Sequence, residues 1–284
     1  ILRLNDKAYL RSLVQGLGIP TVPGCLAADR RSLLAAIDRV SRENGDRICL
    51  KKTRYCGGMG NLYGGRTELL RRLPAWYNRG EVLVEHALPF SSVAGTLLTL
   101  GPDSVRFWGV DEQRFTSRRW TGFDYPHPDR AASDELCRLS LKIAAAVHGQ
   151  RARGDLNLDW GLLPDGRRFL LECNFRHNGL GQILRFRDRY FGPAAERTRV
   201  RYHIQLRLQD PDLSLGGLLA TLDGLACAGE PLLIDAPGRH RGVVVMMPPQ
   251  DGYCSLALFA DGDEYLAAAS RLLSEALTAD EAAA

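Results

Sequence analysis

One short stretch limits what this chain can be. Between residues 155 and 176 two largely apolar runs flank Pro164-Asp165-Gly166, and Asp-Gly is a strong signal for a tight turn between antiparallel strands. Centring the turn between Asp165 and Gly166 sets Asp159 opposite Glu172, Asn157 opposite Asn174 and Asp155 opposite Arg176. Strand side chains alternate with period two, so these six residues share one face. Leu156, Leu158, Trp160, Leu162, Leu171, Cys173 and Phe175 share the other. The register that buries the apolar set therefore gathers the polar one. An ordinary solvated face would not oppose two carboxylates, because like charges about 5 Å apart at Cβ destabilise a sheet. A divalent cation between them removes the penalty. Two carboxylates and the amide oxygen of Asn174 form an all-oxygen set that suits Mg²⁺; with no His or Cys on that face, zinc is disfavoured.

A metal-nucleotide on such a hairpin needs cations and free backbone N–H groups for its phosphates. Only four of the 37 Lys and Arg residues are lysines, namely Lys7, Lys51, Lys52 and Lys142. A chain that otherwise uses arginine has reason to keep lysine where a compact ammonium is wanted. Lys51 ends the strand-like run Ile48-Cys49-Leu50 and precedes Gly57, Gly58 and Gly60. Glycines let the backbone approach phosphate oxygens, and lysine adds a point charge. The G-x-x-x-x-G-K-[ST] pattern is absent, and a glycine cluster alone is equally the mark of a surface loop.

Elsewhere, hydrophobic spacing predicts helices following Asn5 and Asp6, at 29–43, 134–148, 215–225 and 263–277, with a brief one capped by Thr67. Strands are predicted at 48–51, 81–85, 93–100, 105–110, 202–208, near Leu232 and at 243–247. Residues 111–130 mix Arg, aromatic and Pro residues without period and are expected to form a long loop or lid. A net charge of +4 is too small to suggest nucleic-acid binding. No apolar run approaches the roughly 18 residues of a membrane span. Seven cysteines without a C-x-x-C pair argue against a disulfide framework and for a reducing, cytoplasmic location.

Taken together, Asn5-Asp6-Lys7, the turn Gly18-Ile19-Pro20, Lys51 with its glycine-rich loop, the strand Glu81 to His86, and Asp159 followed by Glu172-Cys173-Asn174-Phe175-Arg176 resemble the ATP-grasp superfamily over residues 1 to about 185. The Glu-x-Asn-x-Arg run after an Asp is its most distinctive signature. The resemblance implies an α+β fold in which two subdomains grip ATP. It divides the chain into entry helices (1–47), a first subdomain with flap and adenine strand (48–90), a second with the Mg²⁺-binding hairpin (91–200), and a small C-terminal α/β domain (201–284). A narrower likeness, to the amino-acid and peptide ligases typified by pheganomycin biosynthesis, implies a further N-terminal domain ahead of Ile1.

By the same resemblance Lys7 and Lys51 are phosphate ligands, with Lys52 secondary, and Gly57, Gly58 and Gly60 belong to the flap. Glu85 and the backbone of His86 to Leu88 read the adenine edge. Asp159, Glu172 and Asn174 hold one or two Mg²⁺, and Arg176 sits at the reacting carboxylate, where it stabilises the oxyanion. His177, Asn178 and Gly179 form the substrate loop, with Arg153 as a further candidate for a substrate carboxylate. Pro89-Phe90-Ser91-Ser92-Val93 carries no Glu for the ribose hydroxyls, a departure from the superfamily. The implied activity is ATP-dependent joining of an amino-acid or peptide carboxylate to an amine through an acyl phosphate, as in peptide natural-product biosynthesis. The alternatives are another acceptor, either a carrier-protein thiol or bicarbonate, and a nucleotide-binding module without chemistry.

Overall fold

The computed structural model describes residues 3–43, 45–55, 60–117, 119–236 and 238–278. The chain forms two compact units, Ile1–Gly109 with Ala131–His177, and Val110–Arg130 with Asn178–Ala284.

The first unit opens with α1 (Lys7–Gly16). Asp6 caps it, accepting from the N–H groups of Ala8 at 3.0 Å and Tyr9 at 3.4 Å, and Leu10 and Val14 turn inward. The helix stops at Gly18, whose φ of +66° suits a residue without Cβ. Next come β1 (Gly24–Ala27), α2 (Arg30–Glu43), β2 (Ile48–Lys52), β3 (Asn61–Gly64), α3 (Arg66–Trp76) and β4 (Val82–His86). The four strands form an antiparallel sheet in the order β1-β4-β2-β3. Leu33, Ile37 and Val40 of α2 and Leu69 and Leu73 of α3 pack on Ile48, Leu50 and Val84. The strand Ile48-Cys49-Leu50-Lys51 is buried throughout, so its final lysine is delivered into the interior. α3 begins at Arg66 behind Gly65, rather than behind the predicted cap Thr67.

The chain continues through β5 (Ser92–Leu100) into β6 (Val105–Thr116), passes to the second unit for β7 (Arg119–Tyr125), and returns for α4 (Arg130–Gly149), β8 (Gly154–Leu162) and β9 (Arg168–Asn174). In the first unit β5, β8 and β9 pair antiparallel. Trp160, fully buried, donates its indole N–H to Thr96 at 3.2 Å, and Thr96 shares a hydrogen bond with Ser140 of α4.

The second unit holds β7 and the rest of β6, then α5 (Gly179–Phe191), a 3₁₀ turn (Gly192–Arg197), β10 (Arg199–Arg207), α6 (Leu215–Gly224), the short pair β11 (Ala226–Cys227) and β12 (Glu230–Pro231), β13 (Gly242–Gln250), β14 (Tyr253–Ala260) and α7 (Asp263–Leu277). Its strands run β13-β14-β10-β7-β6. Leu256 and Leu258 pack against Leu266, Ala269 and Leu273 of α7, and Phe186 and Phe191 of α5 lie on Phe259.

The predicted loop at 111–130 is a correction. Most of it is a β-hairpin, with Glu112 paired to Asp124 and Arg114 to Gly122. Asp124 holds Arg201 through two bonds of 2.7 and 2.8 Å, so an ion pair occupies a sheet face where apolar residues would have shown the period.

Candidate functional site

The hairpin of β8 and β9 has the predicted pairing where it matters: Asp159 lies opposite Glu172 and Asn157 opposite Asn174. Two departures from the assumed turn cancel each other. The connection is a three-residue loop closed by Leu163 and Arg167, with Gly166 at φ +85°, and it shifts the strands near the turn by one residue. A bulge between Asp159 and Trp160 then restores the register. Asp159 is the hub of the polar face: its two oxygens accept from the side-chain amides of Asn157 and Asn174, each at 3.1 Å. The Asn174 oxygen in turn accepts from Arg176 at 3.2 Å. Asp159, Glu172 and Asn174 are thus brought together as an oxygen-bearing set that fits a hard cation such as Mg²⁺. Among the described residues no group of three or more His, Cys, Asp and Glu side chains gathers as a metal site.

Asp155 does not meet Arg176, as the pairing had predicted. β9 ends at Asn174, the chain turns, and His177 takes that place with Nδ1 2.7 Å from Asp155. Arg176 is exposed beyond the strand end. Asn178 caps α5, its side chain accepting the N–H of Gly181 at 2.8 Å. Gly179 therefore lies in the first turn of a helix, and the predicted substrate loop is shorter than expected.

Both phosphate-ligand candidates are buried lysines held by carboxylates. Lys7, at the first position of α1, donates to Glu172 at 2.9 Å and to the carbonyl of Tyr55, and its own backbone N–H bonds Thr53 at 2.9 Å. Lys51 lies 2.8 Å from Glu85. Burial opposes its charge, but Glu85 overcomes this and raises its pKa above the usual lysine value. The neighbouring Cys49 thiol is pushed up to about 11, chiefly by burial.

Glu85 is shared. Its other oxygen accepts from Arg11 at 2.7 Å, and Arg11 also bonds the carbonyls of Val22 at 2.8 Å and Gly24 at 3.2 Å. Sequence reasoning missed Arg11, although its place four residues after Lys7 sets it on the same helix face. Lys7, Arg11 and Glu85 line a small cavity with Leu83, Leu170 and Leu171. At the adenine segment the N–H of His86 bonds Pro23 and that of Leu88 bonds the carbonyl of His86. Gly57 and Gly58 lie outside the described residues. Gly60 is packed so closely that a Cβ would lie 2.5 Å from that of Tyr55.

The other two lysines do different work. Lys52 sits over the rings of Tyr55 and Trp76, and Lys142 donates to the carbonyl of Leu17 at the end of α1. Arg153, on the surface, donates to the carbonyls of His148, Ala152 and Pro102.

Solved structures share this architecture over nearly the whole chain. The N5-carboxyaminoimidazole ribonucleotide synthetase from Thermus thermophilus is 16% identical, with a TM-score of 0.69 over 98% of this chain and 74% of that one. The chain has the ATP-grasp fold. The Aspergillus clavatus N5-carboxyaminoimidazole synthase, solved with ADP and 5-aminoimidazole ribonucleotide, is 14% identical, with a TM-score of 0.70 and coverage of 96% and 72%. Biotin carboxylase from Campylobacter jejuni, in an ATP-type complex, is 14% identical, with a TM-score of 0.67 and coverage of 96% and 66%. No family model matches the sequence, and no curated protein sequence matches it. The first unit contains Lys7, Lys51, Glu85, Asp159, Glu172 and Asn174. No described helix is long and apolar enough to cross a membrane.

Proposed function

We propose that this chain is an ATP-dependent ligase that joins a carboxylate to an amine and releases ADP and phosphate. The observation that carries the reading is the meeting of Lys7, from α1, with Glu172, from the carboxylate hairpin, at 2.9 Å. A phosphate-ligand candidate and a metal-ligand candidate lie within one hydrogen bond although 165 residues separate them. MgATP, when bound, supplies the phosphoryl group that converts a carboxylate into an acyl phosphate. Asp159, Glu172 and the Asn174 oxygen hold the cation, Lys7 and Lys51 offset phosphate charge, and Arg176 faces the activated carboxyl group as it becomes tetrahedral. Amino acids or short peptides are the proposed substrates, in peptide natural-product assembly of the pheganomycin type and in a cytoplasmic setting.

The test is a coupled ADP-release screen of amino acids and short peptides, singly and in pairs, with bicarbonate and thiols as rival acceptors. The expected result is release that needs both a carboxylate and an amine and is lost in Asp159→Asn and Glu172→Gln. Release with a carboxylate and a thiol in place of the amine moves the assignment to a thiol acceptor, and release with bicarbonate in place of the amino-acid or peptide carboxylate moves it to carboxylation. Nucleotide binding without release under any combination reduces the chain to a binding module.

A further inference from the structure

The polar face of the hairpin carries one arrangement that nucleotide binding does not use. Asp155 begins that face on β8, and its side chain is 1% exposed. One of its oxygens accepts the hydroxyl of Thr99 at 2.8 Å, and Thr99 in turn accepts the indole N–H of Trp108 at 2.8 Å. Its other oxygen lies 2.7 Å from Nδ1 of His177. The His177 side chain is 80% exposed, so the ring is anchored on one nitrogen and open on the other.

A carboxylate only accepts, so the Asp155 contact places the proton of the neutral imidazole on Nδ1 and leaves the lone pair on Nε2. A buried carboxylate steadied by a second hydrogen bond, holding an exposed histidine in one tautomer, is the arrangement that makes imidazole an effective proton acceptor. Its place on the hairpin fits a task away from the metal ligands. Asp155 and Asp159 are four residues apart on one strand face, roughly 13 Å at the usual strand rise, and His177 follows Arg176 directly.

Resting on the ligase reading above, we infer that His177 is the general base for the acceptor amine and that Asp155 is its positioning residue. The amine nitrogen forms its bond to the acyl carbon while the carbon–oxygen bond to phosphate breaks, and phosphate leaves with that electron pair. Nε2 of His177 takes the proton that the nitrogen loses and returns it to the departing phosphate or to water.

Hydroxylamine separates this role from activation of the carboxylate. It is unprotonated and strongly nucleophilic at neutral pH, so it captures an acyl phosphate as a hydroxamate without a protein base. The twenty amino acids are supplied with MgATP, either with hydroxylamine or in pairs, and hydroxamate and dipeptide are measured for the wild type and His177→Gln. His177→Gln is expected to lower dipeptide formation about 100-fold relative to hydroxamate formation, the usual contribution of a general base. Asp155→Asn is expected to lower the same ratio and to shift the ¹⁵N signals of His177 from the Nδ1–H toward the Nε2–H tautomer.

Equal loss of both products in His177→Gln, or dipeptide formation at the wild-type level, overturns the assignment while leaving the ligase reading intact. A wild type that makes neither product overturns both.

Discussion

Replacing Glu85 by Gln removes the one carboxylate that two buried cations share. Lys51 lies 2.8 Å from one of its oxygens and Arg11 2.7 Å from the other, with side-chain exposures of 10% and 13% against 6% for Glu85. Glutamine keeps the shape and one acceptor but leaves both positive charges without a counter-ion. Breaking a buried ion pair from one side costs about 3–5 kcal/mol, and here a single change unpairs two cations. With Glu85 gone, burial is the largest influence left on Lys51 and lowers its pKa, toward loss of the charge that phosphate requires. At about 2–4 °C per kcal/mol for a chain of this size, the melting temperature should fall by roughly 10 °C. Urea denaturation followed by tryptophan fluorescence gives the free energy. Arg11→Gln on top of Glu85→Gln should recover part of the loss, because one excess cation is removed with its partner. A Glu85→Gln protein within 1 kcal/mol of the wild type would refute the view that this triad is held by charge.

Three further outcomes follow from the same kind of reasoning. The pKa of His203, on β10, is pushed down to about 4 from 6.5, first by burial and then by Arg114 and Arg201. Between those pH values the unfolded chain takes up a proton that the folded chain refuses. The stabilisation is therefore complete above pH 6.5 and is lost as pH falls toward 4, by about 3 kcal/mol at most; His203→Gln should flatten that part of the stability curve measured by urea titration. Lys51→Arg keeps the charge but forces a larger, planar head into a closed slot, an overpacking of about 1–3 kcal/mol. Affinity for a fluorescent ATP analogue should drop about ten-fold, whereas unchanged affinity would make the scarcity of lysine a matter of composition only. Gly24→Ala places a Cβ 2.2 Å from the carbonyl oxygen of Val84 at a φ of +155°, and thermal unfolding should show a loss of about 2 kcal/mol or more.

The parts of the fold that were legible in the sequence are those where burial runs on a simple period. α2, α4 and α7 and the strand Ile48–Lys52 show their apolar stripes openly, and the opposed carboxylates of β8 and β9 follow from the assumed turn centre because the longer loop and the bulge cancel in the register. The first half of β6 was legible at 105–110, but its continuation and β7 were obscured, since in β7 an ion pair, Asp124 with Arg201, takes the place of apolar residues on one face. α5 was obscured by its glycines, Gly179 and Gly181, and by the run Arg185 to Arg189, in which only Arg187 is buried. In the site, the residues that touch through tertiary contact were the hard ones. Arg11 reaches Glu85 across 74 residues, and Asp155 finds His177 because the strand ends one residue before Phe175. Neither follows from strand register, since Arg11 on a helix meets Glu85 on a strand, and His177 lies beyond the end of β9.

The central claim is that Lys7 and the hairpin carboxylates form one Mg²⁺-dependent nucleotide site. Calorimetric titration with a non-hydrolysable ATP analogue, with and without Mg²⁺, tests it on the wild type and on Glu172→Gln. The wild type should bind about ten-fold or more tightly with Mg²⁺, since Glu172 must exchange Lys7 for the cation. Glu172→Gln should lose that Mg²⁺ dependence while binding the free nucleotide at least as well as the wild type, because Lys7 is released to phosphate. A wild type that ignores Mg²⁺, or a Glu172→Gln protein that keeps the full Mg²⁺ effect, would contradict the account.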